Sequence, residues 1–136
     1  LYLSNNMLKN LNHLSKNLSA LESLYLRNLS INFSNFAVIE DFVNLTELDL
    51  SFNKLNAIVL EKLNLTRLKK LKRLNLNHIG LKLNDSIKFL DNLNLLEELN
   101  LSENEFRKDD GKFMSNSKLL KRLELINCNF EFIDKN

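Results

Sequence analysis

The sequence predicts one α/β repeat domain over residues 1–136: a curved solenoid with a parallel sheet on its concave side and short helices or turns on its convex side. Three observations predict this fold. One motif recurs along the chain, a pair of apolar residues precedes several of its copies at a fixed distance, and the composition is unusual for a chain that turns often. With 33 Leu and 23 Asn but no Pro and only two Gly, the turns are expected to use Asn side chains.

The recurring motif has the form LxxLxLxxNxL and fits the sequence six times. Its copies occupy residues 1–8, 21–31, 45–55, 71–81, 96–106 and 120–130, the first without its opening three positions. The fourth-position leucines lie 23 to 26 residues apart, and they are Leu1, Leu24, Leu48, Leu74, Leu99 and Leu123. Because leucines alternate with polar residues in LxLx, each copy predicts a short strand with one buried face. Stacked copies would align these strands into a parallel concave sheet.

The ninth motif position is expected to form a structural ladder of side chains that bond turn backbones. It is occupied by Asn6, Leu29, Asn53, Ile79, Asn104 and Cys128, so Asn alternates with apolar residues over the first five. Cys128 could be a nucleophile or a redox thiol, but its motif position favours a buried structural thiol. The predicted polar ladder therefore consists of Asn6, Asn53, Asn104 and Cys128.

The opposite wall of the solenoid is predicted from apolar pairs that stand six and three residues before a new copy. The pairs are Ile39/Phe42, Leu65/Leu68 and Leu90/Leu93. An i, i+3 spacing suits one helical turn with a single buried side. Short helices or 3₁₀ turns are therefore predicted over residues 37–43, 57–63 and 86–93.

Through this motif and its spacing, the whole chain resembles the leucine-rich repeat superfamily. The repeat lengths near 24 and the back-wall pair are most similar to the extracellular typical-subclass repeats of Toll-like receptor ectodomains. The resemblance implies a horseshoe that recognises a protein ligand, a co-receptor or another ligand, within a cell-surface receptor of signal transduction and innate immunity. It implies no catalytic residue and no cofactor. The alternative within the superfamily is an intracellular scaffold or adaptor that mediates protein–protein interaction.

Seven N-x-[ST] sequons favour a glycoprotein at an extracellular or cell-surface location over a cytoplasmic protein. They start at Asn17, Asn28, Asn32, Asn44, Asn64, Asn84 and Asn100. With 23 Asn and 13 Ser or Thr in 136 residues, chance predicts about two. The sites expected to carry glycans lie away from the strands, at Asn17, Asn32, Asn64 and Asn84. Asn100 is expected to be unmodified, because the repeat pattern itself produces its LNLS sequence.

Several other classes of function are disfavoured by the sequence. The 19 basic and 17 acidic residues are too balanced to indicate a nucleic-acid partner. The basic run 69–73 places Leu71 in the core, which favours a solvated face over a nucleic-acid patch. His13 and His78 have no cluster of ligating residues at metal-binding spacing. No apolar run approaches the length of a membrane span.

The strand positions that point away from the core predict the binding face. Alternating charge at the third position predicts a stabilising ladder of Glu47, Arg73, Glu98 and Arg122. The fifth and seventh positions are predicted to face the concavity as well. They include Tyr2, Tyr25 and Arg27, an aromatic-plus-Arg group typical of binding hot spots. With Phe52, expected to be exposed on the rim, the ligand-contact candidates are Tyr2, Tyr25, Arg27, Asp49 and Phe52.

Both ends of the chain are expected to lack the caps that a solenoid needs. Leu1 falls inside a predicted strand and Asn136 inside a turn, and no Cys-rich cap flanks either end. We therefore expect the six repeats to be a fragment of a larger protein.

Overall fold

A computed structural model describes residues 1–8, 11, 14, 18–29, 37–55, 60, 62–82, 88–105 and 117–128. Its strands are β1 (Ser23–Tyr25), β2 (Glu47–Asp49), β3 (Arg73–Asn75), β4 (Glu98–Asn100) and β5 (Arg122–Glu124). They form one parallel sheet in sequence order. The first motif copy joins β1 through a parallel bridge between Tyr2 and Tyr25. The predicted parallel sheet of motif strands is confirmed.

The sheet register aligns the motif position by position. Leu24, Leu48, Leu74, Leu99 and Leu123 are paired across the five strands. The first four are buried, whereas Leu123 is 38% exposed. Leu123 differs because the strand beside it on its outer side would have to come from a further repeat, and none pairs with β5 among the described residues. The alternation in LxLx therefore buries the leucines as predicted wherever a repeat lies on each side.

The back wall consists of short 3₁₀ helices over Ala37–Asp41, Leu65–Arg67 and Lys88–Asn92. All six residues of the predicted apolar pairs are buried beneath them: Ile39, Phe42, Leu65, Leu68, Leu90 and Leu93. The helices at 37–41 and 88–92 lie within the ranges predicted from sequence. The predicted helix at 57–63 falls mostly on residues outside those described, and the turn that buries Leu65 follows it. A pair spaced i, i+3 needs only one turn, which explains the short helices.

The polar ladder is built by Asn53 and Asn104, whose buried amides bond backbone in two repeats at once. Asn53 accepts the N–H of Leu29 at 2.9 Å and donates to the carbonyl of Leu26 at 2.8 Å, both in the preceding copy. It also donates to the carbonyl of Leu50 in its own copy at 2.8 Å. Asn104 repeats this pattern, accepting from Ile79 and Leu81 and donating to Leu76, Leu101 and Ser102.

Because one Asn side chain bonds backbone groups in two copies, Asn can alternate with apolar residues at the ninth position. Leu29 and Ile79 need no amide of their own, because the Asn of the following copy serves their turns. One Asn in every second repeat is therefore enough to provide hydrogen-bond partners for the turns of two consecutive copies. Cys128 continues the ladder: it is buried, and its Sγ lies 3.3 Å from the carbonyl oxygen of Leu101 in the preceding copy. Asn6 differs because it is exposed and, within the described residues, its side chain bonds the carbonyls of Leu3 and Ser4 in its own copy.

The eighth motif position is left-handed in every copy, a feature that the sequence pattern did not reveal. Asn5, Asn28, Phe52, His78, Glu103 and Asn127 all have φ between 49° and 59°. Asn tolerates this conformation, but a Phe or Glu there costs about 1–2 kcal/mol. The turn after each strand imposes the same backbone on whichever residue occupies the position.

Candidate ligand-binding surface

The concave face forms a shallow cleft of about 450 Å³ above the sheet. Its polar lining comes from the third and fifth motif positions of β1 to β5. These residues are Tyr25, Glu47, Asp49, Arg73, Asn75, Glu98, Asn100, Arg122 and Glu124. The parallel register places them in two rows, since residues of one motif position stand beside one another on adjacent strands. The cleft therefore presents a polar surface with one aromatic side chain at its β1 end.

The charges of the third position lie side by side as predicted, but they pair less regularly than a ladder. Arg73 forms an ion pair with Glu47, the residue beside it on β2. Arg122 turns instead to Glu124 on its own strand, with 3.1 Å between Nε and Oε1. Within the described part of the chain, Glu98 makes no ion pair with either neighbouring Arg. The alternating register is present, whereas a continuous chain of salt bridges is not.

A second row of alternating charge stands at the second motif position, a feature not predicted from the sequence. Glu97 lies between Lys72 and Lys121 of the adjacent copies, with N–O distances of 3.9 Å and 2.6 Å. The hydrogen bond and the charge of Lys121 lower the pKa of the Glu97 carboxyl. These side chains are substantially exposed, so the row stabilises neighbouring repeats only modestly.

Tyr2 and Tyr25 form a stacked pair at the β1 end of the concave face. Their ring centroids are 4.4 Å apart and the rings are tilted by 5°. Tyr2 is 78% exposed, and Tyr25 is half-buried with its hydroxyl donating to Glu47. Burial and the neighbouring Tyr2 raise the pKa of Tyr25, so its phenol is protonated at neutral pH. Because Glu47 also pairs with Arg73, the Tyr25 ring is held in place from two strands.

Arg27 and Phe52, two further ligand-contact candidates, are in contact with each other. The Arg27 guanidinium carbon lies 4.0 Å from the centroid of the Phe52 ring. The prediction that Phe52 is exposed is wrong, because its ring is half-buried between Arg27 and His78. Phe52 and His78 stack with centroids 5.0 Å apart. The sequence did not predict His78 as a neighbour of Phe52. The two residues share the eighth motif position but belong to different copies, and only the stacking of the copies brings their rings together.

The seventh motif position differs from the prediction in the third, fourth and fifth copies, whereas Arg27 and Ile126 are exposed. Ser51, Asn77 and Ser102 are buried and do not present their side chains to the concavity. The fifth-position side chain covers part of this turn: Asp49 Oδ1 accepts the Ser51 N–H at 2.8 Å, and Asn100 Oδ1 accepts the Ser102 N–H at 2.9 Å. Asp49 lies on the concave face as predicted, but one of its carboxylate oxygens is committed to its own turn.

Copies with Tyr or Glu at the fifth position satisfy the same backbone N–H in another way. Ser4 Oγ accepts the N–H of Arg27, and Ser102 Oγ accepts the N–H of Ile126, both at 3.1 Å. In each case the serine of the preceding copy replaces the missing Asx side chain. The side chain of Tyr25 is therefore not needed as an acceptor for the Arg27 N–H, and it lines the cleft.

Four of the seven sequons fall on described residues, and their asparagines differ in environment. Asn64 is exposed beside the back-wall helix Leu65–Arg67, and its Oδ1 accepts the Thr66 hydroxyl at 2.7 Å. Asn28 is exposed and donates to Asn5 at 3.0 Å. Asn44 and Asn100 are half-buried, and their Nδ2 groups donate to the Ser19 carbonyl and to Glu124. Asn17, Asn32 and Asn84 lie outside the described residues.

The remaining candidates occupy places that fit structural roles. Burial raises the pKa of the Cys128 thiol, which disfavours the reactive thiolate. Leu71 is buried and Lys69 exposed in the basic run, as the solvated-face interpretation predicts. Across the described residues, no group of three His, Cys, Asp or Glu side chains is placed to hold a metal ion. His13 is not among them.

The arrangement of these repeats matches solved solenoid structures. A structure of the internalin InlF from Listeria monocytogenes has a TM-score of 0.78 and 25% identity, covering 98% of this chain and 36% of that one. The fold is a leucine-rich repeat solenoid. Internalin C2 from the same bacterium also has a TM-score of 0.78, at 20% identity over 97% of this chain and 53% of that one. A chain in the Drosophila Toll–Spätzle complex has a TM-score of 0.61 at 19% identity, covering 92% of this chain and 16% of that one.

These similarities concern the fold and only part of each larger protein. The leucine-rich repeat chain described here spans about a third of InlF and half of internalin C2. No protein-family model matches the sequence, and no curated protein matches it significantly. Among the helices of the described residues, none is long and apolar enough to cross a membrane.

Proposed function

We propose that this chain is a recognition module, not an enzyme, and that it binds a protein ligand through the β1 end of its concave face. The observation that carries the proposal is a pair of ring contacts on neighbouring motif copies, Tyr2 stacked on Tyr25 and Arg27 over Phe52. Buried aromatic and Arg side chains dominate the binding energy of protein interfaces. Asp49 stands beside Tyr25 on β2 and adds a hydrogen-bond acceptor.

The stacked tyrosines are suited to protein recognition because they are already ordered. Tyr2 and Tyr25 lie nearly parallel, and the Glu47–Arg73 ion pair holds the Tyr25 hydroxyl. A side chain that is ordered before binding loses less conformational entropy on association. The open, shallow cleft fits a protein surface better than a small molecule, which is usually enclosed on most sides.

The module belongs, in this proposal, to the ectodomain of a cell-surface receptor. The excess of sequons supports that location, and so does the fold it shares with Toll, whose solved complex contains Spätzle. An antibody against this chain should label intact cells of the source organism, and external protease should remove the signal. Labelling only after the cells are permeabilised would favour an intracellular scaffold or adaptor.

The binding proposal is tested by screening the purified protein against a library of secreted and cell-surface proteins. Any partner is then measured with Tyr25→Ser and with Lys118→Ser, which changes an exposed residue before β5. We expect Tyr25→Ser to weaken binding by about tenfold or more, as a hot-spot loss does. Equal affinity for both variants would contradict the proposed contact surface.

A further inference from the structure

The eighth motif position distinguishes three consecutive repeats from the others. Its left-handed turn holds Asn in the first, second and sixth copies, but Phe52, His78 and Glu103 in the third to fifth. Phe and Glu are uncommon in that conformation, whereas Asn is favoured there. Unfavourable backbone positions concentrate at functional sites. Phe52 and Glu103 therefore point to a use other than turn formation, and His78 occupies the copy between them.

Together with Arg27, these residues form a continuous row along one edge of the solenoid, here called the rim strip. The Arg27 guanidinium lies over Phe52, and Phe52 stacks on His78. His78 Nδ1 is 3.4 Å from Glu103 Oε2, and Asn77 Nδ2 lies 3.5 Å from Glu103 Oε1. The strip thus runs from a cation through two rings to an anion.

A cleft of about 430 Å³ opens beside the middle of the rim strip. Phe52, His78, Gly80 and Leu81 contribute to its lining. Gly80 has φ +74°, and a Cβ placed on it would meet nothing within 4 Å. The missing side chain leaves the cleft open next to the two rings. An apolar side chain of a ligand could enter there and contact Phe52.

The two ends of the rim strip carry opposite charge that is available to a ligand. Arg27 is exposed and makes no ion pair within the described ranges, so its guanidinium donors face solvent. Glu103 is exposed, and within the described part of the chain its carboxylate contacts His78 and Asn77. A complementary ligand carries an acidic group at the Arg27 end and a basic group at the Glu103 end.

We propose that the rim strip binds an extended peptide segment in which an acidic, an apolar and a basic residue occupy alternating positions. Three repeat steps of about 4.8 Å separate Arg27 from Glu103, about 14 Å in all, and four residues of extended chain span about 13 Å. Alternate side chains of such a peptide point to the same side. The proposal rests on the proposed function, since Arg27 and Phe52 belong to both surfaces.

The probe is a fluorescein-labelled peptide with the pattern acid-x-Leu-x-Lys between neutral flanks, titrated with the full chain and followed by anisotropy. Three control peptides keep the same length: one with two acids, one with two lysines, and one with acid, Leu and Lys at adjacent positions. We expect the alternating mixed-charge peptide to bind at least about fivefold more tightly than each control. Equal binding of all four peptides would overturn the proposal.

Two variants separate a binding role from a merely structural stack. Phe52→Asn installs the residue that the left-handed turn favours, so the melting temperature should stay the same or rise while peptide affinity falls about tenfold. If the stack only stabilises the turn, the melting temperature falls and no peptide preference exists to lose. Glu103→Lys makes both ends of the strip cationic and should shift the preference to the two-acid peptide. Lys118→Glu, an equally large charge change outside the strip, should leave the preference unchanged.

The outcomes distinguish this inference from the proposed function. Tyr2 lies outside the rim strip. Tyr2→Ala should therefore weaken binding of the protein partner and leave the affinity for the peptide unchanged. If that partner depends on Tyr2 and Tyr25 but none of the four peptides shows a preference, the rim-strip proposal is wrong and the proposed function stands. If the mixed-charge peptide binds and Glu103→Lys fails to shift its preference, the assigned charge contact is wrong and the proposal is overturned.

Discussion

Asn53 and Asn6 occupy the same motif position but differ in burial and in hydrogen-bond partners. Asn53 is buried and bonds backbone groups of its own copy and of the copy before it. Asn6 is exposed, and among the residues that the structure describes its side chain bonds carbonyls of its own turn. The difference comes from the neighbouring repeat, because the buried Asn53 amide needs backbone partners in the copy before it as well as in its own. The structural role of a single residue therefore depends both on its type and on the place of its copy in the stack.

Replacing Asn53 by Leu is therefore expected to destabilise the protein by about 3 kcal/mol or more, since several buried backbone groups lose their partner. Ile79→Leu is the matched control, because an apolar exchange at the same motif position should cost less than about 1.5 kcal/mol. Urea unfolding of both variants measures the difference. Similar losses for the two would show that the ladder bonds contribute little.

Cys128 is expected to be inert in the folded protein. Burial raises the pKa of its thiol, and its Sγ lies against the Leu101 carbonyl. At neutral pH a disulfide-exchange reagent should modify it slowly in buffer and rapidly in denaturant. Rapid modification of the native protein would instead support the redox-thiol interpretation.

The strands show how the free energy of an element depends on its neighbours. Leu74 on β3 is buried between flanking strands, whereas Leu123 on β5 is 38% exposed at the sheet edge. Leu74→Ala should cost about 2–5 kcal/mol, as deletions of buried leucines do. Leu123→Ala should cost less than half as much, because less of its side chain leaves an apolar environment. Denaturant melts that give equal losses would contradict this difference in packing.

Adjacent repeats are also linked by the row of charges at the second motif position. The pKa of Glu97 is lowered in the folded protein, so its contribution to stability is present above the ordinary Glu range and is lost as pH falls through the lowered value. Glu97→Gln should therefore be less stable than the parent at pH 7, and the gap in the free energy of unfolding should narrow as the pH falls below the ordinary Glu range. Glu22→Gln, at the same motif position without an ion pair in the described region, should show no such gap. A gap that is unchanged at acid pH would exclude the electrostatic origin.

For the whole molecule, the location of the two faces predicts which sequons can carry glycans. Asn64 is exposed on the convex side, whereas the Asn100 amide donates to Glu124 at 2.6 Å on the concave side. When the chain is directed through the eukaryotic secretory pathway, Asn64→Gln should remove one glycan and Asn100→Gln should leave the glycopeptide spectrum unchanged. High occupancy at Asn100 would mean that the concave cleft is covered and that ligands use another face.

The sequence by itself determined the repeat, the strand register and the buried back-wall pairs, because each follows from the spacing of apolar residues along one chain. The first motif copies also indicated that Tyr2, Tyr25 and Arg27 share a face. Only the tertiary structure decided what depends on contacts between repeats. The stacking of repeats buries Ser51 and partly buries Phe52. It also allows Asn53 to form hydrogen bonds with the turns of two copies. It also aligned the left-handed turns so that Phe52, His78 and Glu103 meet. A motif gives each position its direction, but the residue beside it lies some 24 positions away, and only the packed solenoid brings the two together.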